Sequence, residues 1–244
     1  MAICILTYRL VSKFVFHAAS ALYLYRSTSL PELGASFFDP GSVNVVCRAA
    51  LETFLVFHYV FVEPKSDQDR DCRYMAWVLA GYRERLGFPV WSAKGRAVLE
   101  REACLIGPLT DRLKANATFG GLPPRHQKKL LKGEWRLRSW TEISRSAGLH
   151  DINAKAFYSY LCGYAHAGNL SVLQMRQADT AESQRTLCAS SMTLVLIAMA
   201  NMVKSYCAVF PNAMVRLDQE PDRAALVEVW MGVGSAALKD VLNE

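Results

Sequence analysis

An all-α fold, a single bundle of about seven to eight helices, is what this sequence predicts, and three observations predict it. Apolar residues recur at three- and four-residue spacing over long segments, as at Val98, Leu99, Leu105, Ile106, Leu109 and Leu113. Prolines and glycines punctuate those segments at helical lengths, at Pro31, Pro64, Phe88-Pro89, Gly120-Gly121-Leu122-Pro123-Pro124 and Pro211. No strand-like alternation is sustained, and no internal repeat is visible.

The first helix is expected from about Ile5 to Arg26, stopped by Ser27-Thr28-Ser29-Leu30-Pro31, with a loop over 34–40. Its apolar character suggests a signal peptide or a membrane span. Arg9, Lys13 and His17 interrupt it at i, i+4 and i+8, however, which makes one polar stripe on a helix. Asp39-Pro40-Gly41-Ser42 reads as the start of a second helix, which runs through Arg48, Glu52 and His58 to Val62 before Pro64. A third helix opens near Ser66-Asp67, with acidic residues in its first turn, and ends at Gly87. Ala93 to Ala117 follows, with a kink or break expected at Gly107-Pro108.

The composition shifts at Gly120. Arg125 to Trp140 holds six basic residues (Arg125, Lys128, Lys129, Lys132, Arg136 and Arg138), one acidic residue and two tryptophans. Such a patch can attract phosphate and stack bases, and it equally suits a solvated connector whose tryptophans anchor it to the core. Beyond it come a short helix ended by Gly148, a helix over 152–166, a brief extended stretch from Leu170 to Gln174, a long helix from about Ala181 to Val209, and an amphipathic tail from Asp222 to Leu242. Residues 1–210 are thus expected to form the core with 120–140 inserted, and 211–244 to add a helix packed on it.

With 52% hydrophobic and 20% charged residues, the chain has the usage of an ordinary globular protein, and 244 residues can bury a sizeable core. Its seven cysteines are odd in number and none shows C-x-x-C spacing, so a reducing cytoplasm is expected. The run from Ser190 to Val203 falls short of the roughly 20 apolar residues that a bilayer requires, so no span is expected. The five histidines show neither H-x-x-x-H nor H-E-x-x-H, and no phosphate-cradling glycine loop or G-x-S-x-G elbow occurs. No metal and no cofactor are therefore expected.

Two stretches place chemically capable side chains at helical spacing inside apolar runs. In Phe157 to Gly168, Tyr158, Cys162 and His166 stand at i, i+4 and i+8, so one face presents phenol, thiol and imidazole in a row. In Cys47 to Glu52, Arg48 and Glu52 are one turn apart. Burying such groups costs free energy unless they are paired, and the two stretches can pair each other. If they meet, Glu52 sets the tautomer or charge of His166, and Arg48 supplies a positive charge for an anionic group. The same groups also suit a buried network that fixes helix register, and Cys162 suits a small core residue as well as a nucleophile.

The pairing of Arg48-x-x-x-Glu52 with Tyr158-x-x-Leu161-Cys162-x-x-x-His166 resembles an uncharacterised family of bacterial all-helical proteins, which usually has serine where this chain has Cys162. The likeness covers roughly residues 5 to 210. More distantly, a histidine late in a helical bundle resembles the HEPN superfamily, whose active members are metal-independent ribonucleases of toxin and antiviral systems. Those carry an arginine ahead of the histidine on one helix, where this sequence has Ser159, Tyr160 and Leu161. The resemblance therefore implies a ribonuclease only if Arg48 supplies that charge from another helix. His166 would then act as acid or base, Arg48 would stabilise the phosphorane, Tyr158 or Tyr164 would orient the phosphate, and the basic segment would guide the strand. The expected partners are RNA and either a partner protein or a second copy of the chain. The rival expectation is a non-catalytic helical binding or scaffold protein.

Overall fold

The structure, a computed structural model, describes residues 2–166 and 168–236. The side chain of Cys4, Ala167 of the central stretch and the expected extension of the last helix to Leu242 lie outside the described residues.

The all-α class holds, with twelve helices among the described residues rather than seven to eight. They are α1 (Ala2–Tyr25), α2 (Pro40–Phe57), α3 (Asp67–Leu86), α4 (Ala93–Ala115), α5 (Ala117–Gly120), α6 (Pro124–Lys132), α7 (Trp140–Ser146), α8 (Asp151–Ala165), α9 (Asn169–Gln177), α10 (Ala181–Val209), α11 (Pro211–Asp218) and α12 (Pro221–Ser235). The surplus comes from elements too short to show a period. Segment 120–140 contains α6, the stretch expected to be extended from Leu170 to Gln174 is α9, and Pro211 opens α11 where it was expected only to stop α10. Proline at a first helical position loses no hydrogen bond, so it starts a helix as readily as it ends one.

The expected loop over 34–40 is also partly wrong. Ala35–Phe37 (β2) pairs antiparallel with Thr28–Leu30 (β1), with Thr28 opposite Phe37. Of the kink or break expected at Gly107-Pro108, no break occurs. Pro108 and Cys104 face solvent, so the Cys104 carbonyl left without its helical donor can turn to water, and α4 runs on.

The chain divides into two compact units, residues 1–58 with 140–244, and residues 59–139. The first unit is built on α2 and α10, which pack against each other and carry α1, α8 and α12 around them. Phe14, Phe54, Phe57, Leu51, Leu161, Leu194 and Ile197 are fully enclosed there, each contributing about 1.5–3 kcal/mol of burial. Helix α2 with the π-helical turn that continues it (Pro40–Val62), and α10, are both long and apolar enough to cross a membrane. Their hydrophobic windows are 61% and 56% buried inside the protein.

One buried polar link sits at the α2–α10 seam, where the Ser191 hydroxyl donates to Asn44 Oδ1 and Asn44 Nδ2 donates to the Pro40 carbonyl at 2.6 Å. Helix starts are fixed as the sequence suggests, Asp39 accepting from the Ser42 N–H and Ser66 from the Asp69 N–H. Gly148, at φ +94°, turns the chain from α7 into α8, a conformation that other residues adopt only with strain. Gly234 lets α12 approach α10 so closely that a Cβ there would lie 2.5 Å from Ile197 Cγ2.

The second unit packs Cys72, Met75, Ala76 and Leu79 of α3 against Leu113, Phe119 and Leu130 from α4, α5 and α6. Trp135 leans on this core and meets the Tyr59 ring edge-on at 5.8 Å, so one of the two tryptophans does anchor the basic segment.

Candidate functional site

Helices α2 and α8 lie side by side in the first unit, and their facing surfaces bring the two sequence motifs together. Arg48 and Glu52 are one helical turn apart on α2, and Arg48 Nε donates to Glu52 Oε1 at 2.9 Å. From α8, the Tyr158 hydroxyl donates to the same Glu52 Oε1 at 3.1 Å and accepts from Arg48 Nη2 at 3.4 Å. Two turns further along, His166 Nε2 stands 3.2 Å from Arg48 Nη1. All four residues of the expected catalytic set, Arg48, Glu52, Tyr158 and His166, are thus in one hydrogen-bonded cluster.

Local structure explains why His166 can reach that far. It caps the C-terminal end of α8, its N–H donating to the Cys162 carbonyl at 3.0 Å. Behind it the chain reverses tightly. The Gly168 N–H donates to the Gly163 carbonyl at 2.6 Å, and the Ser171 hydroxyl donates to the carbonyls of Gly163 and Gly168. The ring is therefore held at a helix end, exposed to solvent, while Arg48 and Glu52 beneath it are only 20% and 29% exposed. On the other flank, Trp140 at the start of α7 stacks obliquely on the Tyr158 ring at 6.4 Å, a neighbour that no pattern in the sequence announces.

The protonation states follow from the partners. Arginine has only donors, so its contact with His166 requires Nε2 to present its lone pair, and the ring proton of the neutral imidazole belongs on Nδ1. Burial works against the Arg48 charge, but the hydrogen bond and charge of Glu52 outweigh it and raise the guanidinium pKa. Burial first, then the Glu52 carboxylate and the neighbouring Cys162, push the Tyr158 phenol well above its ordinary value. Tyr158 consequently remains a hydrogen-bond donor and is no base. The Arg48 guanidinium lies 5.6 Å from the Tyr158 ring centre, close enough for a cation–π contribution.

Tyr164 does not join the cluster. Its hydroxyl bonds to Gln174 Oε1 at 3.1 Å, on the side of α8 that lines a cavity of about 550 Å³ with Phe157, Leu161 and Leu194. Cys162 is half-buried between Tyr158 and His166. The described residues hold no group of three or more His, Cys, Asp or Glu suited to a metal ion.

The basic segment resolves into two kinds of residue, all within the second unit. Arg125, Lys128, Lys129 and Lys132 are exposed at i, i+3, i+4 and i+7, which places them on one face of α6 opposite the buried Leu130. Lys129 also reaches Glu134 at 3.3 Å. Arg136 and Arg138 are half-buried. Arg136 Nη1 donates to the Arg138 carbonyl at 2.5 Å, and Arg138 pairs with Glu63.

Arg138 belongs to a second cluster that the sequence reading missed. Arg73 Nε and Nη2 donate to Asp69 at 2.9 and 3.1 Å, Arg73 Nη1 donates to Glu63 and to the Tyr59 carbonyl, and the guanidinium lies 4.6 Å from the Tyr59 ring centre. Its only sequence signal is the Asp69-x-x-x-Arg73 spacing, the reverse of Arg48-x-x-x-Glu52. Comparison of the chain with protein-family models, with curated proteins and with solved structures finds no match.

Proposed function

We propose that the Arg48–Glu52–Tyr158–His166 cluster is a metal-independent phosphodiester-cleaving site that acts on RNA. The observation that carries this reading is the 3.2 Å contact between Arg48 Nη1 and an exposed His166 Nε2, with the rest of the guanidinium fixed by Glu52 and Tyr158. It meets the condition set by the HEPN resemblance, that the cation absent from the histidine's own helix come from another one.

An RNA phosphate entering at His166 displaces the weak neutral acceptors of the Arg48 Nη groups and takes their N–H bonds, because a charged oxygen accepts more strongly than an imidazole or a phenol. His166 Nε2, its lone pair freed, removes the 2′-hydroxyl proton. The 2′-oxygen attacks phosphorus, Arg48 stabilises the added charge of the phosphorane, and the bond to the 5′-oxygen breaks. The imidazolium returns its proton to that oxygen. The products are a 2′,3′-cyclic phosphate and a free 5′-hydroxyl. Glu52 touches no reacting atom and positions Arg48 and Tyr158. The exposed cations of α6 add sequence-independent attraction for phosphate, and a role in a toxin or phage-defence system follows the same resemblance.

The test is incubation of purified protein with structured and unstructured RNAs in the presence of EDTA, followed by end-group analysis. Cyclic phosphate ends are expected, and His166→Ala should lower the rate by a factor on the order of 10²–10⁴ while circular dichroism and Tm stay unchanged. Wild-type protein that leaves every RNA intact removes the proposal and favours a structural network in a helical binding or scaffold protein.

A further inference from the structure

Helix α1 turns one face inward, burying Leu10, Phe14, Ala18 and Ala21. Its other face is also apolar and lies open. Ile5, Tyr8, Val15, Phe16, Leu22 and Tyr23 are 54%, 61%, 52%, 70%, 43% and 75% exposed, which leaves about half or more of each residue in water. At helical periodicity these six fall within an arc of roughly 120°, the width of a buried stripe rather than of a solvated face. Arg9 and Lys13 border one edge of the arc, Arg26 follows the end of the helix, and the first acidic residue of the chain is Glu32.

A second observation adjoins this face. Val11, Phe14 and Val15 of α1 form one wall of a cavity of about 600 Å³, with Met202 of α10 among the other apolar residues. Arg216 of α11, Arg223 of α12 and Glu220 between those helices also line it. Arg216 makes no ion pair among the described residues, and Arg223 reaches Glu220 only at 3.7 Å. Apolar walls with two arginines and one carboxylate among the lining groups suit an acyl chain whose anionic head group the arginines meet.

We propose that the outer face of α1, with the Arg216 and Arg223 cavity beside it, docks this protein on a bilayer rich in anionic phospholipid. The helix lies in the interface plane instead of spanning it, since Arg9 and Lys13 interrupt its length and its inner face is committed to α2 and α10. Tyr8 and Tyr23 stand toward its two ends, where an apolar ring with a polar tip suits the head-group level. Charge decides against a second copy as the occupant. An α1 with cations and no carboxylate meets like charge in its own copy, whereas lipid phosphate complements it. The inference does not depend on the acid–base cluster on α2 and α8.

The experiment is flotation of the full chain with vesicles of phosphatidylcholine alone and of phosphatidylcholine mixed with phosphatidylglycerol, at low and high salt. Wild type should float with the anionic vesicles only, and less at high salt. Phe16→Glu with Tyr23→Glu should abolish flotation, and Arg9→Ala with Lys13→Ala should weaken it about thirty-fold. All four side chains are exposed, so helicity and Tm should not change. Failure of wild type to float with anionic vesicles, or equal flotation with neutral ones, overturns the proposal. So does a wild-type dimer by light scattering that Phe16→Glu renders monomeric without any vesicle binding, which assigns the face to a second copy.

Discussion

Two clusters in this chain are built from the same parts and end in different states. Each pairs an arginine with a carboxylate one helical turn away, Arg48 with Glu52 and Arg73 with Asp69, and each sets the guanidinium over a tyrosine ring. The two arginines are equally exposed, at 20%. In the second unit, Arg73 spends its nitrogens on two carboxylates and a carbonyl, and both oxygens of Glu63 are taken, one by Arg73 and one by Arg138. In the first unit a single carboxylate serves Arg48, and both Nη groups rest on neutral acceptors, Tyr158 and an exposed His166. The number of carboxylates, more than burial or local spacing, therefore separates a closed ionic network from a cation that an anion can still claim.

The largest contrast should come from removing the shared carboxylate in each cluster. Glu63→Ala removes a carboxylate that Arg73 and Arg138 share, leaving Arg73 its two bonds to Asp69, and should cost about 2 kcal/mol in denaturant unfolding. Glu52→Ala strands a guanidinium that can turn to water and should cost about 1 kcal/mol. Equal losses would erase the distinction between the clusters.

Next in size is Tyr158→Phe, which keeps the ring beside Arg48 but deletes the hydroxyl bridging Arg48 and Glu52. It should lower stability by about 1 kcal/mol and RNA cleavage about tenfold, read by Tm and by initial rates. An unchanged rate with a lowered Tm would place Tyr158 with the structural residues of the second cluster.

The buried thiols give a test in pH. Burial pushes Cys47 from 9.0 up to about 12, and Cys188 and Cys72 up to about 11. Above pH 9 the unfolded chain releases these thiol protons while the folded chain keeps them, so unfolding gains on folding as pH rises. Their contribution is fully present below pH 9 and is lost progressively toward pH 11–12. Urea midpoints measured across that window should fall, and Cys47→Ala should flatten the decline.

Smallest is the effect of single charges on α6. Lys128→Ala or Lys132→Ala should weaken RNA binding by a few-fold and reduce the salt dependence by about one phosphate contact each. Lys129→Ala should do less because Lys129 already leans toward Glu134. Arg138→Ala should change stability rather than binding, since its partner is Glu63.

Much of the fold was legible in the sequence because long helices announce themselves. The expected span of α10, Ala181 to Val209, matches the structure, and α1, α2, α3 and α8 begin within a few residues of their expected starts. The candidate cluster was legible for the same reason, since polar residues at i, i+4 and i+8 in an apolar run must find partners. What escaped was short or distant. Helices α5, α6, α9 and α11 have too few turns to show a period, β1 and β2 pair through three residues each, and Glu63, Asp69, Arg73 and Arg138 are spread over a stretch where no single window contains them all.

By itself the sequence determined the helical class, the main helix boundaries and the identity of the groups that would need partners, because periodicity, caps and breakers act within one or two turns of chain. Only the tertiary structure decided which partners those groups received. It set His166 against Arg48 across 118 positions of sequence, gave Arg138 to Glu63, turned Tyr164 toward Gln174 and left the outer face of α1 open. Contacts of that range depend on how helices pack, and packing is settled by the fit of whole faces, which no local pattern encodes.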